Sequence, residues 1–556
     1  MIYYERNLKL LAESNFELYQ KIVSGTPLPV VYTHKMGFGR DENGVTNNIV
    51  TELNEQMIPM DGPEEETDKW VELIDKDMDT IFIFGLGTGK HIRRAIEKYP
   101  DKTYIIVEPD IRVLHHALTL TDLESVLRKV KLWVGDTPSD IKQKMFTWIT
   151  HPLARGIQVV PYYMSIYVEY GMEMIHNIRK MANDWAVMVN TKRALAMRWY
   201  ENRITNMKNC NAGHFKELLG KFKDVPGIIV GAGPSLQHDI ELLKSLQDKA
   251  IIIAAGTAIE IVLHNNIIPD FMGGIDQDEV SEGGLHKDLQ TDVPLIYDNQ
   301  VAQTSLTYKS TKILMSLNVD AYTRMVVPDI PLIESGPSIA NVGLDMLYQL
   351  GCSPLIIIGC DLSYTSGKLY CEGTQFQEDK KFEGLISEVN NKGNLSYTEP
   401  SFISMRNWFE EWITRHKDTK VYNSTEEGLI IKGMPNKRLS EFEFTQRYNI
   451  RKKIKELYKP VDTENVDKVN KELISELHQI KDLLIKANGF VPEIRNFKAF
   501  ILVDEVSSIE SYLKEIQTEY ARKKGEPIEE CIKEFNVHRM NTVLTKIDKL
   551  IELLEK

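Results

Sequence analysis

Gly227-Ile228-Ile229-Val230-Gly231-Ala232-Gly233-Pro234-Ser235-Leu236 runs from an apolar strand, through a turn of small residues, into a helix that opens Gln237-His238-Asp239. Glycines at such a junction let backbone approach a ligand closely. Gly231 and Gly233 carry no side chain to hold it off, and Ser235 offers both a helix cap and a hydroxyl for a phosphate oxygen. A short Gly-Ala-Gly turn is common by itself. Its weight comes from the segments that follow.

Ala254-Ala255-Gly256-Thr257-Ala258 ends the next strand with a second small-residue turn. Pro269-Asp270-Phe271-Met272-Gly273-Gly274-Ile275-Asp276-Gln277 is then a strand that delivers Asp276 to the same edge. Glu334-Ser335-Gly336-Pro337-Ser338-Ile339-Ala340-Asn341 opens a helix whose N–H groups, with the hydroxyls of Ser335 and Ser338, are placed to meet an anion. Gly359-Cys360-Asp361-Leu362-Ser363-Tyr364 closes a later strand, bringing Asp361 and Tyr364 to its carboxyl end. Each piece alone is ordinary turn chemistry, and Asp276 alone reads equally as a helix cap. Together, on successive strand ends, they read as a nucleotide pocket of an open α/β sheet.

The flanking sequence gives the fold class as α/β: two Rossmann-like α/β domains in tandem followed by an all-helical C-terminal domain. Residues 1–65 are a lead-in with a polar helix from Glu5 to Val23, a strand at Pro29–Thr33 and an acidic loop at Gly62–Glu66. Residues 66–167 alternate strand and helix, with strands at Thr80–Phe84, Tyr104–Val107 and Val130–Val134, which implies a parallel sheet with crossover helices. Residues 168–222 form a helical bridge. Residues 223–440 alternate again, with strands at Ile228–Val230, Ile251–Ala254, Phe271–Ile275, Leu295–Tyr297, Lys312–Met315 and Leu355–Ile358. Residues 441–556 are charged and helical. There Val466, Val469, Leu473, Leu477, Ile480 and Leu484 make one apolar stripe, and Leu544, Ile547, Leu550 and Leu554 another.

Composition excludes several classes. A formal charge of −13 over 556 residues argues against a general nucleic-acid binder. The five cysteines include no Cys-x-x-Cys pair, so neither a disulfide framework nor a zinc ribbon is expected. No stretch approaches the roughly 20 apolar residues of a bilayer span, and Met1-Ile2-Tyr3-Tyr4-Glu5-Arg6 does not begin an export signal, so a cytoplasmic location without membrane attachment is expected.

A second glycine turn, Gly85-Leu86-Gly87-Thr88-Gly89, also joins a strand to a helix, and Glu108 closes the next strand. That arrangement can set a carboxylate on a ribose hydroxyl, as in S-adenosylmethionine-dependent methyltransferases, which it resembles. The alternative is a tight turn kept for helix–strand packing that binds nothing.

Val225 to Leu236, then Pro269-Asp270 with Asp276, then Ser335 to Val342 resemble the motility associated factor family, the bacterial flagellin glycosyltransferases. Asn190-Thr191-Lys192-Arg193, Trp199-Tyr200-Glu201-Asn202 and Tyr422 to Gly428 look like that family too. Its central domain is similar to bacterial sialyltransferases. The resemblance implies that Gly231, Gly233, Pro234 and Ser235 surround the nucleotide of a CMP-activated sugar. It implies that Gly256 and Thr257 line the donor pocket, and that Ser335 and Gly336 meet the cytidine or its phosphate. The implied donor is a nonulosonic acid of the pseudaminic or legionaminic kind, and the implied acceptor is a serine or threonine hydroxyl of flagellin.

The base is where this sequence departs from the sialyltransferase pattern. Those enzymes use a histidine after the strand that ends like Asp361, whereas residues 362–415 contain none, and His416 falls beside Arg415 and Lys417 on what reads as a surface helix. Asp276, Asp361 or Glu372 are the carboxylates left for proton acceptance, with Asp276 and Asp361 ranked together. Tyr364 reads either as a donor to the leaving phosphate or as an ordinary amphipathic tyrosine. No cofactor is required. Asp276, Asp278 and Asp361 are compatible with a shared Mg²⁺. The competing readings are an enzyme resembling archaeal hydroxymethylpterin diphosphokinases, a non-catalytic flagellin chaperone or assembly factor, and methyl transfer by the first α/β domain.

Overall fold

Long apolar runs build two parallel sheets. In the computed structural model the described residues are 2–24, 36–40, 46–53, 56–59, 64–76, 78, 80–141, 144, 155–277, 291–307, 309–365, 367–372, 385–488, 492–507 and 528–556. The chain divides into two compact units, Met1–Ala194 with Ala487–Phe490 and Asp504–Val543, and Leu195–Lys486 with Val491–Val503 and Leu544–Lys556. The first of its passages from one to the other falls within the long helix Val168–Lys208.

The first unit holds a three-stranded antiparallel sheet, β1 (Met36–Arg40), β2 (Thr46–Leu53) and β3 (Gln56–Pro59), in that order. It also holds β4 (Thr80–Phe84), β5 (Thr103–Glu108), β6 (Val130–Val134) and β7 (Arg155–Val159), all parallel in the order β6-β5-β4-β7. Two expectations for this unit are corrected. The helix foreseen from Glu5 to Val23 is two helices, Ile2–Ser14 and Phe16–Val23, because Asn15 accepts the Leu18 N–H and caps the second. Glu64–Glu66 is no loop but the first turn of the helix Glu64–Glu72. The lead-in contains the antiparallel sheet, while the strand foreseen at 29–33 lies outside the described residues.

The second unit carries the larger sheet. Its strands are β8 (Gly213–His214), β9 (Gly227–Val230), β10 (Ile251–Ala255), β11 (Phe271–Gly274), β12 (Leu295–Asp298), β13 (Lys312–Leu317), β14 (Leu332–Ile333), β15 (Leu355–Ile358) and β18 (Val421–Asn423). The order is β14-β13-β12-β11-β10-β9-β15-β18, with β8 also on β13, and every pairing is parallel. A parallel sheet covered on both faces needs unbroken apolar strands, and Ile228–Val230, Ile251–Ala254 and Leu355–Ile358 are wholly buried. A hairpin of β16 (Ile386–Val389) and β17 (Leu395–Thr398) stands apart.

Beyond β18 no strand occurs among the described residues, and the C-terminal region is helical. In Val466–Ala487 the buried stripe uses Asn470 where the apolar spacing pointed to Val469. Asn470 is tolerated because its Oδ1 accepts the Tyr322 hydroxyl at 2.9 Å. At the end of Ile528–Glu555, Lys208 donates to Leu554 O at 2.9 Å, a cation on the negative end of a helix.

Candidate functional site

The strand order fixes where a ligand can enter the second unit. From β9 the chain moves outward through β10 to β14, then returns to the other side of β9 as β15. At such a reversal the loops after the two central strands part and leave a crevice at their carboxyl ends. Those loops are Gly231–Ser235 and Gly359–Thr365. Gly231 N–H donates to Ile358 O at 2.8 Å and Gly233 N–H to Gly359 O at 2.7 Å.

The glycines are needed because these loops touch each other. A Cβ on Gly231 would lie 2.5 Å from Gly359 O, and one on Gly233 would lie 2.4 Å from Asp361 Oδ1. The close approach read from the sequence therefore serves, in the structure, the neighbouring loop. Asp361 locks the pair together. Its buried carboxylate accepts Ser235 N–H at 3.1 Å, Ser235 Oγ–H at 2.5 Å and Thr365 Oγ1–H at 2.7 Å. Burial raises its pKa while these donors pull it down. Ser235 makes no side-chain cap to its own helix, since its hydroxyl goes to Asp361.

Along the same edge, Gly256 takes φ +50 and Thr257 begins the helix Ala258–His264. The Ser335–Ser338 segment arrives beside them. Ser338 caps the helix Ile339–Leu350 by accepting Asn341 N–H, while Ser335 N–H donates to Asn318 Oδ1 at 3.1 Å and Ser335 O accepts Trp408 Nε1–H at 2.8 Å. Gly336 leaves room for that helix, because a Cβ there would lie 2.6 Å from Asn341 Cβ. Ile339 then sits over the sheet edge: added Cβ atoms on Gly256 and Gly273 would lie 3.4 Å and 2.9 Å from its side chain. Asp276 follows β11 at the same edge and is exposed.

The structure thus gathers Gly231, Gly233, Pro234, Ser235 and Asp361 in one group and, through Ile339, brings the helix start after Ser338 beside Gly256, with Thr257 next in the chain, while Ser335 and Gly336 lie against Asn318 and Trp408. Tyr364 is directed elsewhere. Its hydroxyl donates to Glu399 Oε2 at 2.8 Å and its N–H to Tyr397 O, so it ties the β15 loop to the hairpin. Glu372 pairs with Lys368 at 3.0 Å. His416 is half-buried rather than a free surface residue, with its ring stacked on Trp412 at 4.1 Å and Nδ1 2.8 Å from Trp412 O.

Two arrangements bear on metal binding. Asp278 lies outside the described residues, and the Asp361 oxygens already take three donors, so Asp361 does not fit a shared Mg²⁺. Among the described residues, Glu334, Asp345 and His416 bring ligand atoms within 4.8 Å of one another. Asp345, however, accepts from Trp412 Nε1, Glu334 N and Gln349 Nε2, and Glu334 pairs with Arg415, which makes this a polar network satisfied within the chain.

The sequence reading missed a buried polar cluster at the ends of β12 and β13. Arg203 lies 3.3 Å from Asp320 and donates to Gln300 Oε1 at 3.0 Å. Asn206 donates to Asn299 O and Val301 O, and Asn299 to Arg203 O and Thr323 Oγ1. Asp298-Asn299-Gln300, three polar residues where a buried strand ends, was the available signal.

In the first unit the glycine turn is filled from within. Glu108 is buried; its Oε2 accepts Leu86 N–H at 2.9 Å and the Tyr163 hydroxyl at 2.5 Å, and its Oε1 accepts Asp110 N–H at 3.0 Å. Gly87 N–H donates to Tyr163 Oη at 2.9 Å, and a Cβ on Gly85 would strike the Tyr163 ring at 2.5 Å. The groups that would meet a nucleotide are therefore engaged by the chain, which is the packing alternative for this turn. Burial pushes Glu108 up to about 8 against its three donors. Since this folded value exceeds the unfolded one, its contribution to stability is full below the ordinary carboxylate range and is lost as pH rises through about 8. Unfolding of the first unit should show stability declining with pH over that window, and Glu108→Gln should flatten the decline. An unchanged slope in the variant would assign the titration to other groups.

Comparison with known proteins matches residues 2–186 to the glycosyltransferase Maf N-terminal domain, and residues 201–367 to the family described as 6-hydroxymethylpterin diphosphokinase MptE-like. The solved structure of a Maf glycosyltransferase from Magnetospirillum magneticum AMB-1 shares the fold, with a TM-score of 0.70 at 16% identity over 100% of this chain and 97% of that one. An uncharacterized protein of Treponema pallidum (strain Nichols) is 32% identical over 84 residues, which are 15% of this chain and 39% of that relative. Among the described residues no helix is long and apolar enough to cross a membrane.

Proposed function

With a first domain that belongs to the Maf glycosyltransferase family and an MptE-like domain after it, the chain is, we propose, a flagellin glycosyltransferase. It moves a nonulosonic acid of the pseudaminic or legionaminic type from its CMP-activated form to serine or threonine hydroxyls. The observation that carries this reading is the meeting of small-residue turns and hydroxyl-bearing helix starts along the β15-β9-β10-β11 edge, in a chain whose first domain is of the Maf family.

The chemistry is displacement at the anomeric carbon. The bond from that carbon to the CMP phosphate oxygen breaks with its electron pair going to the phosphate, the acceptor oxygen bonds to the carbon, and the hydroxyl proton leaves to a carboxylate. The helix start after Ser335 receives the developing phosphate charge, where a preorganised donor contributes roughly 3 kcal/mol, while the Gly231–Ser235 turn, whose Gly231, Gly233 and Ser235 N–H groups are donated within the chain, lines the donor instead of bonding its phosphate. Asp276, exposed at the strand edge, takes the proton. Asp361, tied to Ser235 and Thr365, shapes the turn that holds the donor.

The test is the intact mass of flagellin co-expressed with this protein in a host supplied with a CMP-nonulosonic acid pathway. A mass increment with the wild type, lost with Asp276→Ala and Ser335→Ala, is expected. No increment despite a demonstrated donor pool and a soluble flagellin complex would favour a chaperone or assembly role. The MptE-like match favours one other reading, transfer of diphosphate from ATP to a hydroxymethylpterin. That reaction would consume ATP in the presence of a pterin alcohol and Mg²⁺, and would need no flagellin.

A further inference from the structure

The backbone on both sides of the Asp276 side chain is held at three consecutive carbonyl groups. Gln300 Nε2 donates to Ile275 O at 3.0 Å, Ala302 N–H to Asp276 O at 3.0 Å, and Asn202 Nδ2 to Gln277 O at 3.1 Å. Trp199 Nε1 adds a bond to Gln277 Oε1 at 3.3 Å. β11 ends at Gly274, so these residues have left the sheet ladder. Their partners come instead from the helix Val168–Lys208 and from the segment after β12.

The two side-chain donors are themselves locked. Asn202 is buried and also donates to Gln300 O at 2.9 Å. Gln300 accepts Arg203 Nη2–H through Oε1 at 3.0 Å, which fixes its amide orientation: the oxygen faces the guanidinium and the nitrogen must face Ile275 O. Asp298 Oδ1 accepts the Gln300 N–H at 3.0 Å, and Arg203 is in turn paired with Asp320. Fixing backbone costs conformational entropy at every residue held, a cost that these four hydrogen bonds must offset. A grip of this kind is what a functional carboxylate on a loop requires, because displacement by about 1 Å can lower turnover a hundredfold.

We infer that Asn202 and Gln300 are positioning residues, whose amides hold the main chain of Ile275–Gln277 so that the Asp276 carboxylate meets the acceptor hydroxyl. This rests on the glycosyl-transfer reading and on the role given there to Asp276. Neither amide touches substrate in this scheme.

The experiment uses the full chain, purified flagellin and a CMP-nonulosonic acid. It measures kcat, KM and the affinity for CMP by calorimetry for the wild type, Asp276→Asn, Asn202→Ala, Asn202→Gln, Gln300→Ala and Gln300→Glu. Gln300→Glu keeps the acceptor for Arg203 and replaces the donor facing Ile275 O. Alanine at either position, and glutamate at 300, should lower kcat about ten- to hundredfold while CMP affinity stays within about twofold. Asn202→Gln, which retains a donor amide, should recover part of the loss. A merely structural role would lower CMP affinity and the folded fraction together, without a selective fall in kcat, and would overturn the inference. Asp276→Asn inactive beside fully active Asn202→Ala and Gln300→Ala would overturn the positioning role alone. A fully active Asp276→Asn, or a wild type without transfer, would overturn the underlying reading and the inference with it.

Discussion

Replacing Arg203 by alanine is expected to destabilise the second unit by about 3–5 kcal/mol, the range for removing one partner of a buried ion pair. The guanidinium is 1% exposed and its partner Asp320 is fully buried. It also lowers the pKa of Asp298, which burial and then Asp320 push up to about 6. Without Arg203 the buried carboxylates of Asp298 and Asp320 lose the cation that offsets their charge, and Asp298 must take up a proton or the region must open. Its ring contacts, 5.4 Å to Tyr200 and 5.9 Å to Trp199, would be lost as well. Urea unfolding of the second unit reads the effect directly. A loss below about 1 kcal/mol would mean that the guanidinium adds little to holding this cluster.

Gly233→Ala should have the second largest effect, and it should be felt in binding as much as in stability. The new methyl would lie 2.4 Å from Asp361 Oδ1 and 2.8 Å from Gly359 O, one a constrained carboxylate and the other backbone. Neither can yield without breaking the bonds from Ser235 and Thr365 or parting the two central loops. Overpacking of this sort costs about 1–3 kcal/mol. If the Gly231–Ser235 turn holds the donor nucleotide, CMP affinity should fall about tenfold or more, equivalent to about 1.4 kcal/mol. Calorimetric titration with CMP, beside thermal unfolding, separates the two. Unchanged CMP affinity in a destabilised variant would move the nucleotide away from this turn.

The sequence disclosed the elements whose signal is local. Ile228–Val230, Ile251–Ala254 and Leu355–Ile358 are apolar runs with glycine, proline or polar residues close on either side, and each is a strand within a residue of its expected limits. Strands lacking that signal went unread: β7 is Arg-Gly-Ile-Gln-Val, β18 has three residues and β14 two. The glycine turns were legible as places needing small residues. What they approach was not, because Ser235 and Asp361 are 126 positions apart. The hold on Asp276 was equally hidden, since Asn202 and Gln277 are 75 positions apart and an asparagine on a helix carries no mark of the carbonyl it will meet. His416 read as a surface residue because its neighbours Arg415 and Lys417 are charged, whereas its ring lies on Trp412, one helical turn earlier.

Tyr163 gives the first unit an independence that its fold class does not usually have. In a Rossmann-type domain whose turn awaits a metabolite, part of the folded state's free energy is lent by that metabolite and rises and falls with its concentration. Here a phenol from the same chain stands in the turn, bonded to Gly87 N–H and to Glu108. Its effective concentration is fixed by the covalent chain. The domain therefore has the architecture of a sensor and the thermodynamics of a brace.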